Sequence, residues 1–308
     1  MRARKLLAYA AIYILWSGSF LAIREVVAVL PPFFSAGFRF SVAGALLLIW
    51  IHLRNRPSLS PRQFLSAATL GFVMFTCEYA ALFWAETHIS SGIAAVVSAM
   101  IPVWIFAGEL FVLRTQRPTA LAVGGIALGF GGIVLLTLHA SSGPKASNTL
   151  AILIALAGSV CWSAGTLWSR RLALPTPQQA NAGWQMFLGG LLLLVLSAAS
   201  GELHRMPPHA VLFSMRVVVS MAYLVIAASI VSYTAYVWLI AHDSPTRVSS
   251  YAYVNPVFAL ILGATLAGEH LTLLQMAGAA LVVAGVFATL RGRGAVPAPN
   301  RTENAVGT

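Results

Sequence analysis

The chain has 308 residues, of which 59% are hydrophobic and 9% are charged, and its mean hydropathy is +0.83. Soluble domains carry about 25% charged residues, so this composition excludes a soluble globular protein and predicts one that lies in a lipid bilayer. The formal net charge of +11 would indicate nucleic acid for a soluble protein. Here all the basic residues except Arg39 lie between apolar runs, so we predict no nucleic-acid partner.

Ten apolar runs follow one another along the chain, each close to the length of about 20 residues that a helix needs to cross a bilayer. In chain order, the predicted spans are Leu6–Ile23, Phe33–Ile51, Phe64–Ala85, Ser90–Leu113, Thr119–Leu138, Thr149–Ser169, Ala182–Ser200, Val217–Ala241, Val248–Ala267 and Leu273–Leu290. The predicted fold class is therefore an all-α membrane protein with ten transmembrane helices. The tail, residues 291–308, is rich in Gly, Pro and polar residues and is predicted to be disordered and cytoplasmic.

The second half of the chain repeats the first half. Trp16 recurs 146 residues later at Trp162, and Tyr79 recurs 154 residues later at Tyr233, because one connection of the second copy is longer. Further matched pairs are Arg24/Arg170, Gly44/Gly190, Trp84/Trp238, His88/His242, Pro102/Pro256 and Gly131/Gly285. An odd number of spans in each copy makes the second copy enter the bilayer from the opposite side. We therefore predict two inverted five-helix repeats, residues 1–140 and 147–290, around a central cavity.

The positions of the basic residues predict the orientation. One side of the bilayer collects 14 of the 19 basic residues. These are Arg2, Arg4, Lys5, Arg54, Arg56, Arg62, Arg114, Arg117, Arg170, Arg171, Arg247, Arg291, Arg293 and Arg301. Positive charge in short loops marks the side that is not translocated. We predict a multi-pass protein with both termini in the cytoplasm and residues 139–148 outside.

Pro102 and Pro256 occupy matched positions in the fourth and ninth runs. A proline removes one backbone hydrogen bond, and in lipid the freed carbonyl needs a protein or water partner. Two interpretations stay open: a tolerated kink, or matched helix interruptions at a cavity near the middle of the bilayer. Polar neighbours favour the cavity, and they add four candidate substrate contacts, Ser98, Tyr251, Tyr253 and Asn255.

Trp16 and Trp162 are placed roughly 15 and 20 Å along their spans, too deep for the headgroup region of a hydrocarbon core about 30 Å thick. They either pack against neighbouring helices or line the cavity, where a flat apolar face and one N–H suit an organic solute. We predict substrate contacts for both, and for Tyr79.

Two charges, Arg39 and Glu78, lie inside the predicted spans away from their ends, whereas Glu109 lies near the end of its span. Arg39 and Glu78 are each roughly 10 Å below the outer end of adjacent antiparallel helices, and their repeat counterparts are Gln185 and Ser232. A charge in the bilayer is costly and is taken as functional by default. Three interpretations stay open: a structural or gating ion pair, a Glu78 that carries protons for coupling, or two separate solvated positions.

Glycines in the fifth and tenth runs predict close helix packing, either within one chain or at a homodimer seam, so both a monomer and a homodimer stay open. The sequence lacks an enzyme's clustered side chains: its only aspartate is Asp243, and every histidine falls at or beyond the end of a run. It also lacks a Walker loop, and Cys77 and Cys161 have no metal-ligand spacing. We predict no enzyme, no cofactor and no metal.

Three stretches carry a resemblance to a known family: Leu15–Arg24, Pro31–Phe40, and Asn255-Pro256 leading to Gly268-Glu269 and Gln275. Together with the repeat, they resemble the ten-helix EamA family of the drug/metabolite transporter superfamily, although Thr115 stands in the first repeat where Glu269 stands in the second. The resemblance implies two five-helix bundles around a central cavity. It also implies a protein of the bacterial inner membrane that moves small metabolites, often outward and without ATP.

From the resemblance and the candidate residues we predict a secondary transporter that works by alternating access. We expect export of amino acids, including aromatic and neutral ones. A sugar phosphate or nucleotide sugar would need buried cations, and only Arg39 qualifies. A cationic drug would need a deep carboxylate, and only Glu78 qualifies. A membrane scaffold or subunit that transports nothing is the alternative of another class.

Overall fold

The computed structural model describes residues 2–55, 58–114, 116–117, 119–138, 149–243, 248, 250–269, 272–292 and 294–295. Within them the ten long helices are α1 (Ala3–Val27), α2 (Pro32–Arg54), α3 (Pro61–Ala85), α4 (Ser91–Val112), α5 (Ala120–Leu138), α6 (Thr149–Ser169), α7 (Gln178–Ala199), α8 (Met215–His242), α9 (Tyr251–Leu266) and α10 (Leu273–Arg291). Eight of them are long and apolar enough to cross a membrane, and α5 and α9 contain shorter apolar helices, Ala120–Leu136 and Val254–Leu266. The predicted fold class, a two-repeat membrane protein with ten spans, is confirmed.

Short elements complete the described chain. The connection from α7 to α8 contains a 3-10 turn (Glu202–Arg205) and a short helix (His209–Leu212). Two two-residue strands, β1 (Gln116–Arg117) and β2 (Gly294–Ala295), pair in antiparallel fashion. The first residues of the predicted disordered tail are ordered instead, since Arg291 ends α10 and β2 pairs with β1. The rest of the tail, the connection 139–148 and the side chain of Tyr253 lie outside the described residues.

Local sequence sets the start of several helices. At α3, the Ser60 hydroxyl accepts a hydrogen bond from the Gln63 backbone N–H at 3.2 Å, and the Gln63 side chain accepts one from the Ser60 N–H at 3.0 Å. Thr272 and Gln275 form the same reciprocal pair before α10. Such capping boxes satisfy N–H groups that a helix start otherwise leaves unpaired.

Glycines bring helices of the two repeats into close contact. A Cβ atom at Gly44 of α2 would lie 2.4 Å from the Phe187 backbone nitrogen of α7, and one at Gly285 of α10 would lie 2.4 Å from the Gly129 nitrogen of α5. Only glycine permits these approaches, so both crossings belong to packing within one chain. Gly124 and Gly131 face open space instead. The monomer and the homodimer both stay open as predictions.

Four of the long helices contain a π-helical segment, a feature that often accompanies functional sites. These segments are Ala11–Leu15 in α1, Gly71–Cys77 in α3, Gly108–Val112 in α4 and Leu224–Val231 in α8. The segments in α3 and α8 occupy matched positions of the two repeats, so the local deformation repeats with the sequence.

The matched prolines do not produce matched interruptions. In α4, two turn residues, Ala99 and Met100, separate the helix Ser91–Ser98 from Ile101–Ala107, which carries Pro102 as its second residue. Pro256 instead lies inside the continuous helix α9. The prediction of paired interruptions is therefore wrong for α9. The physical difference is that Pro102 follows a turn, so its missing N–H falls at a helix start, where that group is normally unpaired.

Candidate functional site

A cavity of about 60 Å³ lies between the two repeats. Helices α1, α3 and α4 of the first repeat and α6 and α9 of the second line it. The lining residues are Trp16, Ser19, Phe20, Glu78, Tyr79, Leu82, Ala95, Ser98, Ala99, Ile101, Trp162, Tyr251, Ala252 and Asn255. The structure thus brings together six of the nine predicted substrate contacts. Pro102 and Pro256 are buried but do not line the cavity, although their immediate neighbours do.

Aromatic rings form much of the cavity wall. Trp16 and Trp162, which the repeat relates, meet edge to face with ring centroids 6.2 Å apart. Tyr251 lies 5.3 Å from Trp16, and Tyr79 lies 6.1 Å from Trp162, both also edge to face. Edge-to-face contacts are favoured between aromatic rings and hold the wall in a defined shape.

The two tryptophans differ in their polar atoms. The indole N–H of Trp16 donates a hydrogen bond of 2.9 Å to the backbone carbonyl of Ala228 in the π-helical segment of α8. The indole N–H of Trp162 is buried close to the hydroxyls of Tyr236 and Tyr251, but it makes no hydrogen bond of full geometry with a described residue. A buried donor without a full hydrogen bond is costly, so a bound solute that paired with this N–H would be stabilised by it. Asn255 adds an amide that is bonded to the Ser17 hydroxyl at 3.1 Å.

Glu78 supplies the only carboxylate among the residues that line this cavity. Its side chain is 4% exposed, and its Oε2 atom has no hydrogen-bond partner among the described residues. A Cβ atom at Gly158 of α6 would lie 2.7 Å from Oε2, so a glycine at that position makes room for the carboxyl group. The arrangement can receive a proton or the cationic group of a solute.

The structure does not join Arg39 and Glu78 in an ion pair, which was one of the three interpretations that the sequence left open. Arg39 is 1% exposed, its Nε donates a hydrogen bond of 2.9 Å to the Ser229 hydroxyl, and its Cζ lies 5.3 Å from the centre of the Tyr79 ring. Successive residues of a helix point about 100° apart, so Tyr79 faces Arg39 while Glu78 faces α6. Among the described residues, no ion pair joins the two charges.

In the second repeat, the residues that match Arg39 and Tyr79 also contact each other. Gln185, the counterpart of Arg39, accepts a hydrogen bond of 2.6 Å from the hydroxyl of Tyr233, the counterpart of Tyr79. The sequence carried a signal for this pairing, because Tyr79 recurs in the second copy and Glu78 does not.

A second cavity, of about 260 Å³, lies on the other side of the aromatic wall. Its lining includes Thr166 and Arg170 of α6, Gln185 of α7, and Tyr233 and Tyr236 of α8. The rings of Tyr236 and Trp16 are 5.2 Å apart, and those of Tyr236 and Trp162 are 5.9 Å apart. These rings therefore separate the two cavities. Sequence analysis missed Tyr236, which has no aromatic counterpart in the first repeat.

At the outer end of the predicted orientation, glutamates of the second repeat hold helix starts of the first repeat. The Glu269 carboxylate accepts hydrogen bonds from the backbone N–H and hydroxyl of Ser91, each 2.9 Å, at the start of α4. Glu202 accepts bonds from the N–H groups of Phe33 and Phe34, at 3.1 and 2.8 Å, at the start of α2. A carboxylate there pairs with free N–H groups and with the positive end of the helix dipole.

Glu86 lies next to this region, just after α3 ends at Ala85. Its side chain is fully buried, and neither carboxylate oxygen has a hydrogen-bond partner among the described residues. Burial raises the pKa of the Glu86 carboxyl well above its usual value, and the nearby Glu269 carboxylate raises it further, while Arg24 and Arg39 act in the opposite direction. No sequence signal pointed to this residue.

At the other end, two ion pairs connect the repeats. Lys5 Nζ lies 3.2 Å from the Asp243 carboxylate, and Arg170 Nη1 lies 3.6 Å from Glu109 Oε1. The described part of the chain contains no group of three or more His, Cys, Asp or Glu side chains placed to hold a metal ion.

Comparisons with known proteins agree with this architecture. Residues 4–138 and 149–291 each match the EamA-like transporter family. The uncharacterised inner membrane transporter YedA of Escherichia coli K12 is 34% identical over 304 residues, covering 97% of this chain and 95% of that protein. A probable amino-acid metabolite efflux pump of Salmonella typhimurium is 24% identical and covers 91% of this chain and 93% of that protein. One crystal structure, 19% identical, shares the fold with a TM-score of 0.64 over 94% of this chain and 98% of the other.

Proposed function

We infer the function of this chain from its membership of the EamA-like transporter family, to which it belongs through both of its halves. The chain is a membrane transporter, and it resembles bacterial inner membrane transporters. Our proposal is that it exports amino acids and related small metabolites from the cytoplasm, as a secondary transporter without ATP. The inverted repeats, residues 1–140 and 147–290, would expose the cavity between them to each side in turn.

The observation that carries this proposal is the composition of the cavity wall. Trp16, Trp162 and Tyr251 offer aromatic faces, Glu78 offers one carboxylate, and the Trp162 N–H is a donor without a full hydrogen bond. These groups suit the side chain, the ammonium group and the carboxylate of an aromatic or neutral amino acid. At about 60 Å³ the cavity is small, so it would have to widen to admit such a substrate. The name of the Salmonella relative is in keeping with this substrate class.

Glu78 also supports a second candidate, an organic cation. An unpaired carboxylate beside several aromatic rings is a suitable environment for an ammonium group. A sugar phosphate or nucleotide sugar has less support, because Arg39 does not line the cavity and contacts Ser229, Phe40 and Tyr79 instead. A scaffold without transport activity is disfavoured by the family to which the chain belongs.

The proposed location is the bacterial inner membrane with both termini in the cytoplasm, as the distribution of basic residues indicates. In that orientation the ion pairs Lys5–Asp243 and Arg170–Glu109 close the cytoplasmic end. Both pairs join one repeat to the other, so both would have to separate when the cavity opens to the cytoplasm.

Counterflow into proteoliposomes that contain the purified protein tests the substrate class. Phenylalanine is compared with three other compounds. Phenethylamine lacks the carboxylate, 3-phenylpropionate lacks the amine, and the third compound is a sugar phosphate. Export of amino acids predicts exchange of phenylalanine or a neutral amino acid above that of either partial analogue. Exchange of phenethylamine alone would favour the organic cation, and exchange of the sugar phosphate alone would overturn the proposal. Repeating the assay with an imposed pH gradient tests coupling to protons.

A further inference from the structure

A groove of about 610 Å³ lies on the side of the helix bundle, away from the central cavity. The inner halves of α1, α2 and α8 form its walls, and the start of α7 contributes Gln179. Its lining residues are Arg4, Leu7, Ala8, Ala11, Leu46, Leu47, Trp50, Gln179, Ile230, Val231, Thr234, Ala235 and Trp238. Most of this surface is apolar, and none of the lining residues is acidic. The walls therefore suit a hydrocarbon chain.

Two arginines stand at one end of the groove. The Cζ atom of Arg4 lies 5.0 Å from the centre of the Trp238 ring, and that of Arg54 lies 4.9 Å from the centre of the Trp50 ring. Both rings line the groove, and so does Arg4 itself, so each of the two cations is held against a residue of the groove wall. Neither arginine forms an ion pair with a described residue, whereas the neighbouring Lys5 is paired with Asp243. The groove thus combines apolar walls with two free positive charges.

A second groove, between α5 and α10, provides a comparison. Its volume is similar, about 550 Å³, but it is lined only by Gly, Ala, Leu and Val residues and carries no charge. Any helix bundle in a bilayer has surface that lipid tails cover. Of these two grooves, only the one between α1, α2 and α8 has a basic residue, Arg4, in its lining.

We propose that this groove binds one anionic phospholipid of the cytoplasmic leaflet, with an acyl chain between α1, α2 and α8 and the headgroup phosphate between Arg4 and Arg54. Arginine pairs with phosphate through several donors at once, and aromatic rings beside it keep the guanidinium in place. The cytoplasmic leaflet is the source of the lipid, because the arginines lie at the end predicted to be cytoplasmic and that leaflet carries anionic lipids.

The site also touches the wall of the central cavity. The groove is lined by Ala11, the first residue of the π-helical segment in α1, and by Val231, the last residue of the segment in α8. The hydrogen bond from Trp16 to Ala228 joins these same two regions. A lipid in the groove therefore braces α1 against α8, and its loss would loosen one wall of the cavity. This role does not depend on which substrate is transported.

Native mass spectrometry of the full chain tests the site, with phosphatidylglycerol, phosphatidylethanolamine and phosphatidylcholine of identical acyl chains as probes. The expected result is one phosphatidylglycerol retained in preference to the other two lipids. Arg4→Gln and Arg54→Gln should each weaken its retention about fivefold, the effect of one basic residue near an anionic surface. Arg62→Gln removes the same charge at the same end outside the groove, and Gly131→Leu fills the uncharged groove. Both controls should retain phosphatidylglycerol as the unaltered chain does.

Equal retention of the three lipids would overturn the proposal, because the bound lipid would then be ordinary bilayer lipid. Equal weakening by Arg62→Gln and Arg4→Gln would overturn it too, since net charge and not the groove would be responsible. A second readout covers variants that bind lipid poorly because they fold poorly. Added phosphatidylglycerol should raise the melting temperature of the unaltered protein and of Arg62→Gln in detergent, but not that of the Arg4→Gln/Arg54→Gln double variant.

Discussion

Arg39 lies over the ring of Tyr79, with its Cζ atom 5.3 Å from the ring centre, and the counterparts Gln185 and Tyr233 are joined by a hydrogen bond of 2.6 Å. The two positions that meet between α2 and α3 in the first repeat thus meet again between α7 and α8 in the second repeat. In one repeat the contact is between a cation and a ring, and in the other it is between an amide and a hydroxyl. Glu78 takes no part in either.

This relationship predicts how substitutions of the two buried charges combine. Arg39→Gln and Glu78→Ser copy the residues of the second repeat, and their effects on the free energy of unfolding should add to within about 0.5 kcal/mol, since the two side chains do not touch. Arg39→Gln and Tyr79→Leu should instead couple by more than about 0.5 kcal/mol, because Tyr79→Leu removes the ring that Arg39 contacts. Double-mutant cycles in detergent measure both couplings. A strong coupling between Arg39 and Glu78 would mean that the ion pair forms in the bilayer after all.

Trp162→Ala should reduce counterflow by up to about tenfold, because an aromatic contact contributes about 0.5–1.5 kcal/mol and the indole N–H is lost with it. Trp168→Ala is the matched control on the same helix, since Trp168 is 51% exposed and faces away from the cavity. Trp16→Ala should lower both transport and the melting temperature, because Trp16 also donates a hydrogen bond to Ala228. Equal transport by the Trp162 and Trp168 variants would remove Trp162 from the substrate site.

Glu86 should make the stability of the protein depend on pH. Burial raises the pKa of its carboxyl in the folded state, so between the unfolded and the folded pKa the folded chain binds more protons than the unfolded chain. Stability should therefore fall as the pH rises above about 4.3, the pKa of an exposed glutamate. Glu86→Gln carries no proton to lose. Its melting temperature should match that of the unaltered protein in acid and exceed it at pH 8, and an equal pH dependence of both proteins would contradict the assignment.

Glu269→Gln and Glu202→Gln should each destabilise the protein by about 0.5–2 kcal/mol, the usual cost of losing a helix cap. Each carboxylate holds two successive residues at the start of a helix in the other repeat. Glu25→Gln is the control, because Glu25 pairs with the exposed Arg216 at the same end and such pairs contribute about 0–1 kcal/mol. Thermal unfolding in detergent ranks the three variants. A Glu25 variant as unstable as the other two would show that these helix caps stabilise the protein no more than an exposed ion pair does.

The proposed orientation can be tested by labelling in intact cells. In a chain with Cys77→Ala and Cys161→Ala, a cysteine at Leu203 should react with a membrane-impermeant thiol reagent, whereas a cysteine at Ser58 should react only after the cells are opened. Both positions are exposed and lie in connections on opposite sides of the bundle. The reverse pattern would invert the orientation and would move the lipid groove to the outer leaflet.

Much of the fold could be predicted from the sequence because its determinants are one-dimensional. A span is a run of apolar residues of a certain length, and a repeat is a fixed offset between residue types, so neither requires knowledge of neighbours. Capping residues such as Thr272 and Gln275 are equally local. Six of the predicted substrate contacts line a common cavity. Trp16 and Trp162 could be placed there because the repeat relates them and because depth along a helix follows from its rise per residue.

Which side chains meet depends on the rotation of each helix about its axis, and helix packing decides that rotation. At 100° per residue, a single step along α3 separates Tyr79, which faces Arg39, from Glu78, which faces Gly158. The prediction that Glu78 lies near Arg39 used only the depth of each residue along its helix. Depth does not specify the direction in which a side chain points. Tyr236 and Glu86 were not predicted, because neither residue type recurs at the matched position of the other repeat. Whole-chain packing also made Pro102 follow a turn and left Pro256 inside a helix, although the sequence presents the two prolines as equivalents.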